Sequence, residues 1–151
     1  MSAEYNIVKA KAEESILLNQ LMRHSLSVWK YSEIELEKLM EHLKVAPELI
    51  DQSICYTARL SNAIKGFILF SEQENFLKKL YVDPSCINTG VGTLLWQRLI
   101  QDLREKNFKH INFLSDPNAQ GFYEKKGAFK IGRRASKVFD GVYIPIMRYT
   151  L

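Results

Sequence analysis

The spacing of apolar residues in the first third of the chain predicts a short strand followed by two amphipathic helices. The segment YNIVKA is typical of a strand, and AEESILLNQLMRHSLSVW has apolar residues three and four positions apart, as on one face of a helix. SEIELEKLMEHL has the same spacing. It opens with Ser32 and has Glu35 three residues later, the spacing of a capping box. We therefore expect the order β-α-α at the start.

Three strand candidates occupy the middle of the chain. They are SICYTARL, AIKGFILFSE and NFLKKLYVD, which are rich in β-branched and aromatic residues. The first two are separated only by Ser61 and Asn62, a polar pair that suits a tight hairpin turn. The pattern predicts three consecutive strands, of which the first two form a hairpin.

Helical and strand patterns alternate in the next part. VGTLLWQRLIQDLREK has the apolar spacing of a helix, and HINFLS is typical of a buried strand. A short helix is predicted over PNAQGFYEKK, because Asp116 is a favourable N-cap and Pro117 is favoured at a first helical position.

The last part of the chain predicts two more strands, AFKIGRRASKVF and VYIPIMRYTL. The complete order is then β-αα-βββ-α-β-α-ββ, which mixes antiparallel strands with helical crossovers. This order predicts an α/β (α+β) fold with a mixed central sheet of about seven strands flanked by helices. No repeat or linker divides the chain, so we expect residues 1–151 to form a single domain.

Composition narrows the class of protein. Hydrophobic residues make up 46% of the chain and charged residues 25%, as in soluble globular proteins. No apolar run is long enough for a membrane helix and the N-terminus has no secretion signal, so we expect a cytoplasmic protein. Cys55 and Cys86 are not expected to form a disulfide, and no metal is expected. The histidines are scattered: His24, His42 and His110.

The net charge of +4 and the pI of about 9.0 leave three interpretations open. A basic patch could follow nucleic-acid phosphates, attract a smaller polyanionic ligand, or simply form a solvated face. The excess is concentrated in the last third: Arg104, Lys106, Lys109, Lys125, Lys126, Lys130, Arg133, Arg134 and Lys137.

A candidate anion site lies where the third predicted strand is followed by a loop and a helix. Gly90, Val91 and Gly92 form a Gly-X-Gly turn at the start of the helix, where free amides and the helix dipole favour an anion. Thr93 could add a hydroxyl donor. Alone, this turn could equally be a tight turn that lets the helix pack closely against a strand. It lacks the lysine of a P-loop and the third glycine of a dinucleotide fold.

A second group of candidate residues lies after HINFLS. Asp116 and Pro117 stand at the C-terminal end of that strand, where open α/β sheets bind ligands. Asn118 could hydrogen-bond an amide, and the Tyr123 hydroxyl could reach the same ligand. Their alternative roles are a local turn residue for Asn118 and core packing for Tyr123.

Together the two segments resemble the GNAT superfamily of acyl-CoA-dependent N-acetyltransferases. The Leu-Tyr-Val-X-Pro strand end of that family is matched by residues 80–84, and its Gln/Arg-X-X-Gly-X-Gly/Ala loop by residues 87–92. Its Asn-X-X-X-Phe-Tyr-Glu-Lys-X-Gly-Phe segment is matched by residues 118–127, with Ala128 inserted before Phe129. The resemblance covers nearly the whole chain, and its specific part is residues 77–129.

The resemblance implies that acetyl-CoA is the cosubstrate and gives each segment a role. Amides around the loop would hold the pyrophosphate, and the preceding strand would pair with the pantetheine arm. Tyr123 would act as general acid toward the CoA thiolate, and Lys125 or Lys126 would contact the nucleotide phosphates. The residues expected at acetyl-CoA are Leu80, Tyr81, Val82, Ile87, Asn88, Thr89, Gly90, Val91, Gly92, Thr93, Asn118, Phe122, Tyr123 and Lys125.

Two positions depart from the family pattern. Ile87 stands where the family has Gln or Arg, which removes a side-chain contribution but keeps the main-chain amide. Residues 76–79, FLKK, lack the glutamate that many relatives use to deprotonate the amine. We therefore expect either that Glu72 or Glu74, just upstream, acts as the base through a water or that the amine loses its proton to solvent.

The same resemblance implies that the first two helices and the last strands form the acceptor pocket. Trp29, Tyr31, Glu33 and Tyr143 are the candidates there, and an aromatic wall with an acid would suit a small cationic amine. The alternative is that Trp29 and Tyr31 only hold the two helices together.

The expected activity is transfer of an acetyl group from acetyl-CoA to a primary amine by direct attack in a ternary complex. The alternative is a CoA-binding sensor or interaction module with weak or no catalysis, which the missing strand carboxylate keeps open. No nucleic-acid or membrane partner is expected, because no recognition motif accompanies the basic residues. The chain is expected to be a monomer or a homodimer.

Overall fold

A seven-stranded mixed sheet organises residues 4–151, which are the residues that the computed structural model describes. The neighbour order in the sheet is β1-β2-β3-β4-β5-β7-β6, and only the pair β4–β5 is parallel. The mixed sheet predicted from the sequence is confirmed, and so is the order of elements, to which the structure adds one short helix at Pro47–Asp51. The strands are β1 (Asn6–Lys9), β2 (Ile54–Leu60), β3 (Ala63–Ser71), β4 (Phe76–Val82), β5 (His110–Leu114), β6 (Phe129–Ala135) and β7 (Tyr143–Thr150).

Helices cover both faces of this sheet. Short 3-10 turns over Ala12–Glu14 and Pro84–Cys86 precede the first and fourth helices. The helices are α1 (Ser15–Ser27), α2 (Glu33–Leu43), α3 (Pro47–Asp51), α4 (Val91–Glu105) and α5 (Gln120–Lys125).

The capping box predicted at the start of α2 is present. The Glu35 amide donates to Ser32 Oγ at 3.1 Å, and the Ser32 amide donates to Glu35 Oε1 at 2.8 Å. Two of the amides that a helix start leaves unpaired are therefore satisfied locally, which fixes where α2 begins. The predicted β2–β3 hairpin is also present, with Ser61 in the left-handed region at φ 56°.

The prediction for the start of α5 is wrong. This helix begins at Gln120, and its N-cap residue, Ala119, makes no side-chain capping bond. Asp116 instead accepts two hydrogen bonds from the residues that follow it. Its side-chain Oδ1 accepts from the Asn118 amide at 2.8 Å, and its main-chain carbonyl accepts from the Ala119 amide at 2.8 Å. An aspartate that bonds this way stabilises a turn rather than a helix start, so a turn separates β5 from α5.

Two hydrophobic clusters lie on opposite faces of the sheet. One is covered by α4 and includes Leu95, Leu99 and Phe113, and the other is covered by α1 and α2 and includes Leu18 and Phe67. The close approach of α4 requires a glycine: a Cβ on Gly66 would lie 2.9 Å from Val91 Cγ1. The N-terminus of α4 is thereby held directly over β3.

The parallel strands β4 and β5 separate after a short ladder. They pair only through Phe76 with Asn112 and Leu77 with Phe113, although β4 continues to Val82. A register shift in the β3–β4 ladder, between Leu69 and Phe70, accompanies this separation. The result is a cleft in the sheet between the C-terminal ends of β4 and β5.

Other sequence expectations concern the thiols, metals and membranes. Cys55 and Cys86 are both free and buried, and burial raises the pKa of Cys55 to about 12. Among residues 4–151, no group of three His, Cys, Asp or Glu side chains could hold a metal ion. Within the same residues, no helix is long and apolar enough to cross a bilayer. The expectation for the N-terminus falls partly on residues 1–3, outside the described range, and the cytoplasmic location stays a prediction.

Candidate active site

A cavity of about 560 Å³ occupies the cleft between β4 and β5 and extends to the N-terminus of α4. Five parts of the chain form its walls: the end of α1, the end of β4, the loop before α4, the first turn of α4, and the β5–α5 connection with α5. Its lining residues are Ser25, Leu26, Val28, Trp29, Leu80, Tyr81, Val82, Cys86, Ile87, Asn88, Gly90, Val91, Gly92, Thr93, Asp116, Asn118, Ala119, Phe122 and Tyr123.

Most residues predicted at the cosubstrate line this cavity. Those that do are Leu80, Tyr81, Val82, Ile87, Asn88, Gly90, Val91, Gly92, Thr93, Asn118, Phe122 and Tyr123. Thr89 belongs to the same loop but does not line the cavity, and its Oγ1 donates to the Cys86 carbonyl at 2.5 Å. Its hydroxyl therefore shapes the loop, and the cavity wall is formed by its neighbours.

The loop before α4 presents free backbone amides to the cavity. Gly90 is the N-cap residue, with a left-handed φ of 91°, and its carbonyl accepts the first helical bond from the Leu94 amide at 3.0 Å. The amides of Val91, Gly92 and Thr93 have no partner within the helix, and no acidic residue lies in this first turn. Free amides at the positive end of a helix dipole are an arrangement that favours an anion.

A lysine immediately after α5 adds positive charge to this loop. Lys126 Nζ donates to Thr93 Oγ1 at 2.6 Å and lies 5.2 Å from the centroid of the Phe122 ring. Both Lys125 and Lys126 line a separate surface cavity of about 550 Å³ together with Trp96 and Arg104. Of the two lysines expected from the sequence, Lys126 is the one whose ammonium reaches the loop.

Tyr123 is buried beneath the cleft. Only 6% of its surface is exposed, and its ring packs against Phe113 and Trp96 with centroid separations of 4.4 and 5.8 Å. Burial raises the pKa of Tyr123, and the nearby Tyr81 and Asp116 raise it further. The phenol therefore stays protonated at neutral pH and can act as a proton donor.

Asp116 lines the cavity, although it was not among the residues that the resemblance placed at acetyl-CoA. It is half-buried, lies two residues after the end of β5, and lines the cavity with Tyr81 and Tyr123. Its position after the C-terminal end of a strand, noted in the sequence, is the signal for this placement. Ser25, Leu26, Val28, Cys86 and Ala119 were also missed, since their places depend on how α1 and the loop pack.

Glu74 is not brought to the cavity. It lies in the turn before β4, at the opposite end of that strand from Leu80, and its carboxylate pairs with Lys78 at 2.5 Å. The hydrogen bond from Lys78 lowers the pKa of Glu74, which weakens it as a base. Geometry and charge both argue against Glu74 as the base.

Of the four residues expected at the acceptor, only Trp29 lines the cavity. Tyr31 stacks on Phe139 with ring centroids 5.9 Å apart and packs against the cluster under α1 and α2. Glu33 pairs with Arg23 at 3.1 Å and its side chain is 85% exposed. Tyr143 lies under Arg133, 4.2 Å from its guanidinium carbon to the ring centroid.

Comparison with known protein families gives one match along nearly the whole chain. Residues 12–151 match the model of a family described as an acetyltransferase (GNAT) domain. A curated relative, the chloroplastic serotonin N-acetyltransferase 2 of Oryza sativa subsp. japonica, is 39% identical over 46 residues. That alignment spans 30% of this chain and 23% of the rice protein.

Solved structures share the fold. A GCN5-related N-acetyltransferase from Rhodopseudomonas palustris superimposes with a TM-score of 0.82 at 18% identity, covering 100% of this chain and 97% of that one. The PaiA N-acetyltransferase of Thermoplasma acidophilum, solved in complex with coenzyme A, gives a TM-score of 0.76 at 19% identity and covers 98% and 99%. With the family model matched from residue 12 to residue 151, the chain belongs to the GNAT family of acetyltransferases.

Proposed function

We propose that this protein transfers an acetyl group from acetyl-CoA to the primary amine of a small acceptor, by direct attack within a ternary complex. The observation that carries the proposal is one continuous cavity, which extends from the free amides at the start of α4 to Tyr123 in the β4–β5 cleft. It combines an anion site, an unpaired strand edge and a proton donor, which are the three elements that use of a CoA thioester needs.

The anion site would hold the pyrophosphate of acetyl-CoA. The main-chain amides from Ile87 to Thr93 would donate to it, with Gly90 free of a side chain and Lys126 adding charge next to Thr93. Ile87 contributes through its backbone, since its apolar side chain is half exposed. The rice relative is a serotonin N-acetyltransferase and the Thermoplasma protein was solved with coenzyme A, which supports the choice of an amine acceptor and of CoA.

The strand edge would hold the pantetheine arm. Beyond Leu77, β4 pairs with β3 on one side only, so the backbone groups of Leu80 and Val82 face the cleft side without a β5 partner. An extended amide-containing chain can add to such an edge like another strand. Phe122 and Asn118 line the opposite wall.

The chemistry requires one nucleophile and one proton donor. The acceptor nitrogen attacks the thioester carbonyl carbon, a C–N bond forms and the C–S bond breaks. Tyr123 donates a proton to the departing sulfur, which stabilises negative charge that develops only as the thioester breaks. Of the two protons that the acceptor ammonium loses overall, one ends on the CoA sulfur and the other is released to solvent.

A CoA-binding sensor is the second candidate function. The observation that favours it is that residues 76–79 of β4 contain no carboxylate, and that Glu74 lies away from the cavity. A sensor would need the anion site and the strand edge but not Tyr123.

Calorimetric titration with acetyl-CoA, followed by a thiol-release assay on a panel of primary amines, tests the proposal. We expect binding, and turnover with at least one small amine. Binding without turnover on any amine would favour the sensor, and the absence of acetyl-CoA binding would refute both functions.

A further inference from the structure

We propose that Asp116 is a catalytic residue of this site: it binds the acceptor as an ammonium ion and takes its proton before attack. The acceptor class follows from the same wall of the cavity and is a primary alkylamine with an apolar or aromatic body. This inference rests on the proposed acetyl transfer and names the acceptor side of that reaction.

The position of Asp116 is fixed by its own turn. Its Oδ1 accepts two hydrogen bonds from Asn118, one from the amide and one from Nδ2, both at 2.8 Å. The carboxylate is therefore oriented by its own turn, and both Asn118 donors bind the same oxygen. The Tyr31 hydroxyl also hydrogen-bonds this carboxylate, which still lines the cavity and can be reached there by a ligand.

Asp116 also lacks a counter-charge within the protein. In the part of the chain that the structure describes, none of the ion pairs involves Asp116. Such a half-buried carboxylate on a mainly apolar cavity is poorly compensated by its surroundings. A bound ammonium would supply the missing charge and a charge-assisted hydrogen bond.

Phenols surround this carboxylate from both sides of the sheet. Tyr31 and Tyr81 belong with the cluster under α1 and α2, whereas Tyr123 belongs to the cluster under α4. The negative charge of Asp116 raises the pKa of each of these three phenols, which is consistent with its lying between them. Asp116 is thus on the acceptor side of the cleft and close to the proposed acid, Tyr123.

The wall beside Asp116 determines the rest of the acceptor. Leu26, Val28 and Trp29, all from the end of α1 and the residues after it, line the same cavity. An apolar wall with one aromatic ring and one carboxylate is suited to an alkylammonium with an apolar body. A neutral alcohol of the same shape could donate a hydrogen bond but would leave the negative charge of the carboxylate uncompensated.

The proton balance gives Asp116 a defined step. The Asp116 carboxylate accepts a proton from the bound ammonium, and the neutral amine attacks the thioester carbon. The tetrahedral adduct loses its second nitrogen proton through water, Tyr123 protonates the sulfur and regains a proton, and Asp116 releases its own proton to solvent. No oxidant or metal is needed.

The experiment compares Asp116→Asn with wild type, using 2-phenylethylamine as the probe. We expect kcat/KM for the amine to fall at least about 30-fold, because a desolvated charge pair is lost. The Kd for acetyl-CoA should stay within about two-fold. When 2-phenylethylamine is titrated into the CoA complex, Asp116→Asn should bind it at least about 30-fold more weakly than wild type does. Wild type should in turn bind 2-phenylethanol at least about 30-fold more weakly than the amine.

The matched control is Asp83→Asn. Asp83 follows β4 as Asp116 follows β5, and its Oδ1 likewise accepts from the amide two residues ahead, Ser85, at 2.9 Å. Asp83 does not line the cavity, so this variant should leave kcat/KM for the amine unchanged. Should Asp116→Asn fail to fold, Asp116→Ser keeps an acceptor for the Asn118 amide and carries the same expectations.

If Asp116→Asn acetylates 2-phenylethylamine with the same kcat/KM as wild type, the role of Asp116 is overturned. If wild type binds the alcohol and the amine equally well, recognition of the charge is overturned. A wild type that acetylates other amines but does not bind this probe would overturn the substrate class. A wild type that does not bind acetyl-CoA would instead refute the proposed function, and this inference with it.

Discussion

At the scale of single residues, burial decides what the titratable side chains of the cleft can do. Tyr123 is enclosed by Trp96, Phe113 and Phe122, so its anion is poorly solvated and its proton is retained. Such a phenol is present in the protonated form that a donor to the departing sulfur needs, while its raised pKa makes it a weaker acid than an exposed tyrosine. The same burial that makes Tyr123 a core residue therefore keeps its proton in place at neutral pH.

Tyr123→Phe tests this role with the smallest change available. We expect kcat to fall about 10²-fold or more, because the thiolate loses its proton donor, while the ring packing and the Kd for acetyl-CoA are retained. Thiol release and calorimetry measure the two quantities. Tyr149→Phe, which changes an aromatic packed on Trp96 outside the cavity, is the control and should keep its kcat. Unchanged kcat in Tyr123→Phe would show that Tyr123 is not the acid.

Lys79 is a second residue whose burial has a consequence. It lies on β4, only 9% of its surface is exposed, and burial together with the neighbouring Lys78 lowers its pKa from 10.5 to about 8. Below pH 8 its ammonium is charged in both the folded and the unfolded chain, so the folded state carries the cost of a buried charge. Between about pH 8 and 10.5 the unfolded state holds more protons, so this residue makes stability rise with pH.

Lys79→Met should therefore stabilise the protein at pH 7, by about 1–3 kcal/mol, and the gain should shrink as the pH rises from 8 toward 10.5. Urea unfolding at pH 7 and pH 9.5 measures both effects. The control is Lys78→Met, which removes the surface pair with Glu74 and should change stability by less than about 1 kcal/mol. A Lys79→Met gain of equal size at both pH values would contradict the cost assigned to the buried charge.

At the scale of elements, the loop and first turn of α4 act as one unit. Gly66 lets α4 approach β3, and Gly90 takes the left-handed conformation that starts the helix. The amides of the first turn then face the cavity instead of the core. A helix packed further from the sheet, or started with another turn, would not present those amides beside the β4 edge.

Gly90→Ala should weaken acetyl-CoA binding and destabilise the fold by about 1 kcal/mol. A Cβ at Gly90 meets nothing within 4 Å, so the cost comes from the positive φ of 91° and not from a clash. Calorimetry and urea unfolding measure the two effects. Gly121→Ala is the matched control, because Gly121 lies in α5, has no positive φ and has equal open space. It should be neutral or stabilising, and equal behaviour of the two variants would contradict the conformational argument.

At the scale of the whole molecule, one sheet joins two hydrophobic clusters. Leu18 is fully buried under α1 and α2, and Leu99 is fully buried under α4 on the opposite face. Alternate residues of β3 serve both, with Phe67 and Leu69 facing one cluster and Ile68 and Phe70 facing the other. Loss of packing on either face should therefore weaken the same cooperative unit.

Leu18→Ala and Leu99→Ala should each lower the free energy of unfolding by about 2–5 kcal/mol, from lost transfer energy and the cavity left behind. Both variants should unfold in a single transition when followed by tryptophan fluorescence and by far-UV circular dichroism. Exposed Ile16→Ala, on α1 at 68% exposure, is the control and should change stability little. Separate transitions for the two probes would show that the two faces unfold independently.

The sequence by itself determined the order of elements and much of the site. Apolar periodicity, the Ser32–Glu35 capping box and the Ser61–Asn62 turn are local features, and local hydrogen bonding and side-chain spacing act over only a few residues. For the same reason the loop around Gly90 and the position of Tyr123 could be recognised from contiguous segments. The GNAT family assignment, predicted from those segments, is confirmed.

Only the tertiary structure decided which side chains meet in the cavity. Lys126 and not Lys125 reaches Thr93, Glu74 is held by Lys78 at the far end of β4, and Asp116 lines the cleft instead of capping α5. Each outcome depends on the rotation of a helix or the separation of β4 from β5, which are set by packing between segments distant in sequence. The spacing of residues in the sequence indicates which of them lie on the same face of a helix or strand. Which other element packs against that face depends on the packing of the whole core.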